Sequence, residues 1–291
     1  MALWALTQAA SRDGWQVVGV QEGFQGLLAG QLEPLTPAQT LAWARYGGTK
    51  LGTSRLQDLP NHLDVLSQQL TQHHITALAI LGGNGSTAAA NLLQQHTDIT
   101  CVSMPATIDN DVFDSDESIG FDTALNTGVR LLDGIRDTAE AMPRLFALET
   151  LGGDTGFLAH AVAEAGAADA VLVPEHIPTD TDIITQVKAG MDAKRYAVIV
   201  ASEGYPDLEK TLERVSIALK TRYRLSRAGH AQRGGQPSAR DRTLAFELSL
   251  RAWQAIQNGE SGRTVWQAGT AKHLPFEGTH DKPFRYLWRL A

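Results

Sequence analysis

The sequence predicts a doubly wound α/β protein with mainly parallel sheets, in one body or in two intertwined domains, and three observations lead there. Short apolar runs alternate with helical patterns: Ala77 to Leu81, Ile99 to Met104, Leu145 to Leu148, Ala170 to Val173 and Ala197 to Ala201. Strands that are apolar throughout and spaced by helices belong to a parallel sheet covered on both faces. The chain has 291 residues, 43% of them apolar, enough for one large core or two modest ones. No proline- or serine-rich linker, repeat or low-complexity tract divides it, so two domains would have to be intertwined.

The elements follow in order. Met1 to Arg12 has a helical pattern, and the first strand, Gln16 to Val20, arrives only after it. A doubly wound fold usually opens on a strand that feeds a functional turn, so the chain reads as starting inside its first β-α unit. After Ala77 to Ile80 comes the glycine turn Leu81-Gly82-Gly83-Asn84-Gly85-Ser86, then the alanine-rich helix former Thr87 to Leu93. The run Ile99 to Met104 encloses Cys101, the single cysteine, which is expected to be buried. From Thr123 to Glu140, Leu125, Val129, Leu132, Ile135 and Ala139 recur at spacings of four, three, three and four, the period of one amphipathic helix. Another helix is expected from about Ser238 to Gln257, with Leu244, Leu248 and Trp253 along one side.

Composition excludes several function classes. A formal net charge of −7 repels nucleic acid and anionic lipid, so phosphate binding must come from local arginines. One cysteine makes no internal disulfide, which fits a reducing cytoplasm. The apolar runs are strand-sized, and no membrane span or export signal is visible.

Three constellations carry chemistry. A glycine turn that opens a helix offers backbone N–H groups and a positive dipole end to an anion. Its bland alternative is a tight connection that uses glycine for positive φ. Asp109 and Asp111, in Thr107-Ile108-Asp109-Asn110-Asp111, place paired carboxylates just past a strand. Such clusters also serve turns, but Ser103 and Thr107 add hydroxyls for a phosphate or sugar. One carboxylate could take a sugar hydroxyl's proton during phosphoryl transfer while the other helps hold magnesium. The third is Arg224 to Gly235, where Arg224, Arg227 and Arg233 with His230 form a positive island suited to a phosphomonoester.

Together these segments resemble the phosphofructokinase family. Thr107-Ile108-Asp109-Asn110-Asp111, Gly120-Phe121-Asp122-Thr123-Ala124-Leu125-Asn126-Thr127 and Gly229-His230-Ala231-Gln232-Arg233-Gly234-Gly235 read as three of its signatures in order, and the likeness runs from about Trp15 to Trp253. The resemblance implies a phosphofructokinase-like fold. Its donor domain would span 1–120 and 233–277, without the first strand and glycine-rich loop; its fructose 6-phosphate domain would span 121–232 and 278–291. It implies that Asp109 is the base for the sugar 1-hydroxyl, that Thr107 bonds the transferred phosphoryl, and that Asp111 and, weakly, Asn84 lie in the magnesium environment. Arg55, Gly82, Gly83, Asn84, Gly85 and Ser86 would face the donor. Leu151, Gly152, Gly153, Glu203, His230 and Arg233 would bind the sugar phosphate. Arg144 and Arg224 would reach the sugar phosphate of a neighbouring subunit in an allosteric homodimer or homotetramer. Pyrophosphate-using relatives carry an aspartate where Gly85 stands and a lysine where Ala106 stands; the small residues here leave room for ATP. The implied reaction is ATP-dependent phosphorylation of fructose 6-phosphate in glycolysis.

Three departures fall on the donor side. Nothing like the family's first-strand loop, Gly-Gly-Asp-x-Pro-Gly-x-Asn, precedes Met1-Ala2-Leu3-Trp4, which removes backbone donors and a central strand. Asn84 replaces an aspartate, keeping an oxygen ligand and losing its charge. Gly153 stands where catalytic members carry an arginine on the transferring phosphoryl, a change shared with regulatory halves of duplicated enzymes. A non-catalytic sugar-phosphate binder is therefore the alternative expectation.

Overall fold

A computed structural model describes residues 1–54 and 56–284. In chain order the elements are α1 (Ala2–Arg12), β1 (Val17–Val20), α2 (Gly23–Leu28), β2 (Leu32–Leu35), α3 (Pro37–Trp43), α4 (Leu63–Gln72), β3 (Ala77–Gly82), α5 (Asn84–His96), β4 (Thr100–Pro105) and α6 (Phe121–Ala141). There follow β5 (Leu145–Thr150), α7 (Phe157–Ala165), β6 (Ala170–Leu172), α8 (Asp180–Lys194), β7 (Ala197–Ser202), α9 (Leu208–Ala218), β8 (Tyr223–Arg227), α10 (Ala239–Gln257), β9 (Gly262–Gln267) and β10 (Thr270–Leu274). They form two units. Among the described residues, one comprises 1–107, 112–120 and 236–282; the other comprises 108–111, 121–235 and 283–284. Residues 108–111 and 233–235, expected with the donor unit, group with the second unit, and 278–282, expected with the sugar unit, group with the first.

In the first unit the sheet order is β10-β9-β4-β3. Strands β3, β4 and β9 run parallel and β10 returns antiparallel to β9. The first predicted strand does not join this sheet. Instead β1 pairs antiparallel with β2, Val17 opposite Leu35, as a separate two-stranded ribbon, the chain returning through α2 to bring β2 alongside. Among the described residues β3 is the last strand of its sheet, and all six of its residues are only half-buried while β4 is buried from Cys101 to Pro105. Helix α1 buries Leu6, Ala9 and Ala10 with Trp253, Ala252 and Ile256 of α10. The indole Nε1 of Trp253 and the amide of Gln257 both donate to Asp13 Oδ2, at 2.7 and 2.8 Å, fixing the end of α1.

In the second unit all four strands are parallel, in the order β6-β7-β5-β8. Alternation along β5 and β7 sends side chains into two cores. Phe146, Leu148, Val198 and Val200 meet α6 and α7 through Leu132, Leu158 and Val162. Leu145, Ala147, Ala197 and Ile199 meet α8 and α9 through Ile183, Val187, Leu212 and Val215. A strand buried on both faces must be apolar at every position, which is why these runs are continuous. Removing one such side chain, Leu148→Ala for example, costs about 2–5 kcal/mol. Helix α8 opens on a reciprocal cap between Thr179 and Asp182.

Candidate functional site

Each unit carries part of the predicted machinery. In the first unit β3 ends at Gly82 and α5 begins at Asn84, with Gly83 as its N-cap and neither a side-chain cap nor an acidic residue in its first turn. The positive end of the helix is thus left for an anion. Gly82, Gly83 and Gly85 are absent from the residues with positive φ, so backbone freedom is not what requires glycine. Gly82 is required by packing: a Cβ there would lie 2.2 Å from Ser86 Oγ. A Cβ at Gly85 meets nothing within 4 Å, so the space beside this position is open. Thr107 follows β4, its carbonyl accepts the Ser118 hydroxyl at 2.7 Å, and its side chain lies 3.9 Å from the Cβ position of Gly83. Arg55 lies outside the described residues.

One sequence reading is corrected in this unit. Ser103 is not a ligand hydroxyl: it is 1% exposed and accepts from Thr87 Oγ1 at 3.2 Å, tying α5 to β4. The oxygen of Asn84 is already engaged, accepting the Phe113 N–H at 3.1 Å, which pins the loop after Asp111 to the start of α5. That loop has an anchor the sequence did not reveal. Arg263 of β9, 3% exposed, donates to Asp114 Oδ2 at 2.6 Å and to the Phe113 carbonyl at 3.3 Å, while Arg240 grips Glu117 with two hydrogen bonds. Burial pushes the Asp114 carboxyl up, but the Arg263 guanidinium and then His280 together hold it below its usual range. A lone arginine inside a strand pattern carries no sequence signal of such a pair.

In the second unit the C-terminal ends of the strands converge. Asn110 adopts φ 56°, turning the chain tightly between Asp109 and Asp111; asparagine tolerates this left-handed region. A Cβ at Gly153 would lie 3.6 Å from Asp109 Oδ2, so this carboxylate borders the Leu151-Gly152-Gly153 turn. The turn needs both glycines, with φ 150° and 60°. Glu203, just past β7, accepts the N–H groups of Gly152 and Gly153 through Oε1 at 3.1 and 2.8 Å. The expected sugar-hydroxyl ligand thus also shapes the turn.

His230 and Arg233 sit on a 3-10 turn, Gly229–Arg233, and both are exposed. With three residues per turn, positions three apart eclipse, so the two side chains project from one side. The predicted positive island is smaller than three arginines, because Arg227 is paired with Glu149 at 2.9 Å and with Glu209. Arg144 precedes β5, and Arg224 pairs in register with Phe146, at the opposite end of the strands from Gly152. At about 3.3 Å per residue, Arg144 lies roughly 20 Å or more along the chain from Gly152.

Among the described residues no group of three or more histidine, cysteine or carboxylate side chains could cage a metal, and no helix is long and apolar enough to cross a membrane. Cys101 is buried, and burial pushes its thiol up to about 12.

Comparison with known proteins gives this arrangement its family. The phosphofructokinase family model matches residues 1–256. The ATP-dependent 6-phosphofructokinase of Bacillus cytotoxicus is 36% identical over 267 residues, 91% of this chain and 83% of that protein. An enzyme named ATP-dependent 6-phosphofructokinase 2, from Bacteroides thetaiotaomicron, is 35% identical over 98% of this chain and 90% of its own length. The structure of phosphofructokinase from Saccharomyces cerevisiae superimposes with a TM-score of 0.89 at 25% identity, covering 94% of this chain, which spans 42% of the yeast chain. A pyrophosphate-dependent phosphofructokinase from Nitrosospira multiformis shares the fold, with a TM-score of 0.86 at 18% identity over 98% of this chain and 82% of its own. The sequence signatures, the fold and the relatives agree: this chain belongs to the phosphofructokinase family.

Proposed function

We propose that the chain transfers the terminal phosphoryl group of ATP to the 1-hydroxyl of fructose 6-phosphate, giving fructose 1,6-bisphosphate, as a glycolytic kinase of the cytoplasm. The observation that carries this reading is the Asp109 carboxylate bordering the Leu151-Gly152-Gly153 turn, within a retained Thr107-Ile108-Asp109-Asn110-Asp111 segment. Asp109 accepts the proton of the 1-hydroxyl as that oxygen bonds to the γ-phosphorus, and the bond from phosphorus to the β–γ bridging oxygen breaks to release ADP. Thr107 donates its hydroxyl hydrogen to the phosphoryl group in transit. The start of α5 accepts donor phosphates at its positive end, and His230 with Arg233 takes the 6-phosphate from one side of the 3-10 turn.

The residues that would hold magnesium are one carboxylate, Asp111, and the amide oxygen of Asn84, which also accepts the Phe113 N–H at 3.1 Å. Such a set suits an ion that keeps most of its water and travels on the nucleotide phosphates. When bound, magnesium neutralises charge on those phosphates. Arg144 and Arg224, at the far end of the sheet from Gly152, serve the sugar phosphate of a second copy, so the working form is a homo-oligomer.

The non-catalytic reading raised by Gly153 is not favoured, because the relatives that match over most of the chain are named as enzymes. The test is a coupled fructose 1,6-bisphosphate assay with ATP, then with pyrophosphate, on the parent and on Asp109→Asn. Turnover with ATP that falls about 10²–10⁴-fold in the variant, with fructose 6-phosphate affinity kept, is expected. A parent that binds fructose 6-phosphate and never turns it over refutes the kinase.

A further inference from the structure

We propose that Gln232 is the positioning residue of the sugar-phosphate subsite, an inference that rests on the function above. Gln232 is 1% exposed, in the middle of an otherwise exposed turn. Its Oε1 accepts the Leu151 N–H at 2.9 Å, and its Nε2 donates to the Ala124 carbonyl at 3.2 Å. The orientation of this amide is forced, since an N–H can only donate and a carbonyl can only accept. One side chain therefore joins three segments: the first half of α6, the turn that begins at Leu151, and the 3-10 turn itself.

The geometry of that turn converts the anchor into a display. At three residues per turn, position 232 lies about 120° around from 230 and 233, so fixing Gln232 inward sets His230 and Arg233 outward together. The same amide holds Leu151, next to the glycines that Glu203 bonds. Both walls offered to a sugar phosphate are thereby referred to one buried group. Gly128 of α6 makes room for it: a Cβ there would lie 3.1 Å from Gln232 Nε2 and 2.5 Å from Val162 Cγ2.

An apolar side chain of similar length could fill the volume, but it could bond neither Leu151 nor Ala124. The experiment uses the full chain, the variants Gln232→Met and Gln232→Asn, and calorimetric titration with fructose 6-phosphate and separately with ATP. Asparagine keeps the amide one methylene short of spanning both partners and guards against a methionine variant that fails to fold. The expected result is a tenfold or larger rise in Kd for fructose 6-phosphate, ATP affinity within twofold of the parent, and faster hydrogen exchange at the Leu151 amide. Fructose 6-phosphate affinity within twofold of the parent overturns the assignment. So does a parallel loss of both affinities, which marks general damage. A parent that binds fructose 6-phosphate without turnover defeats the kinase while the variants still judge Gln232; a parent that binds no sugar phosphate overturns both.

Discussion

Gly153→Arg is expected to raise kcat with ATP and fructose 6-phosphate about 10²–10³-fold, equivalent to about 2.7–4 kcal/mol of transition-state stabilisation, the usual worth of one well-placed donor to developing charge. The position admits a side chain: its Cβ would lie 3.6 Å from Asp109 Oδ2, an ordinary contact, and no closer atom stands in the way. The backbone is the obstacle, because φ is 60°. Holding an L-residue in the left-handed region costs about 1–2 kcal/mol, which lowers the melting temperature by a few degrees in a chain of this size. Gly153→Ala carries the same strain without a guanidinium, so it separates the two effects. Both variants should melt lower by similar amounts, and only the arginine should gain rate in the coupled assay. Adding Asp109→Asn should abolish the gain, because a stabilised phosphoryl group still needs the 1-hydroxyl deprotonated. Equal kcat for the arginine and alanine variants would refute the reasoning, and would mean that some other group already neutralises the charge that an arginine handles elsewhere in the family.

The paired change Gly85→Asp with Ala106→Lys should fold normally, since the space at Gly85 is open and an acid in the first turn suits the helix dipole. It should raise the KM for ATP tenfold or more, measured against an unchanged KM for fructose 6-phosphate. Asp13 is held at about 2 by hydrogen bonds from Arg12 and Trp253, below an ordinary value of 3.8. A carboxyl whose folded value is depressed stabilises the fold above its unfolded value and loses that contribution as pH falls through the folded one. Asp13→Asn should therefore melt lower than the parent at neutral pH, with the gap closing between about pH 4 and pH 2; a gap independent of pH would contradict this. Cys101, with its thiol raised to about 12, should resist an aromatic disulfide reagent at pH 8 in the native protein and react once denaturant is added. Prompt reaction of the native protein would show that the site opens.

The parts of the fold legible in the sequence are those written as period. Leu145 to Leu148 and Ala197 to Ala201 could only be strands covered on both faces, and the spacing from Leu125 to Ala139 could only be one helix; both appear. Strands β8 and β10 were not legible, because Tyr223-Arg224-Leu225-Ser226-Arg227 and Thr270 to Leu274 lie at sheet edges with mostly exposed or half-buried residues. An edge strand needs no continuous apolar run, so its composition merges with that of loops. The pairing of β1 was misjudged for a related reason. Val17 to Val20 is apolar enough for either partner, and nothing local distinguishes an antiparallel return from a parallel crossover.

At the site, residue identity was legible and residue engagement was not. His230 and Arg233 stand out because imidazole and guanidinium beside glycine have few structural uses in an exposed turn, and Asp109 stands out because it is paired with Asp111 just past a strand. Gln232, Arg263 and Ser103 do not stand out, because their roles are set by partners between 16 and 150 residues away: Thr87 Oγ1 for Ser103, Leu151 N–H and Ala124 C=O for Gln232, and the Phe113 carbonyl and Asp114 for Arg263. A buried polar group is stable only when its bonds are satisfied, so each of these residues is informative once its partner is known and silent before. Glu203 shows both sides at once. The resemblance assigns it to the sugar phosphate, yet its Oε1 is committed to the Gly152 and Gly153 N–H groups. Any ligand that draws on Glu203 therefore draws on the shape of the glycine turn as well, and that turn borders the Asp109 carboxylate.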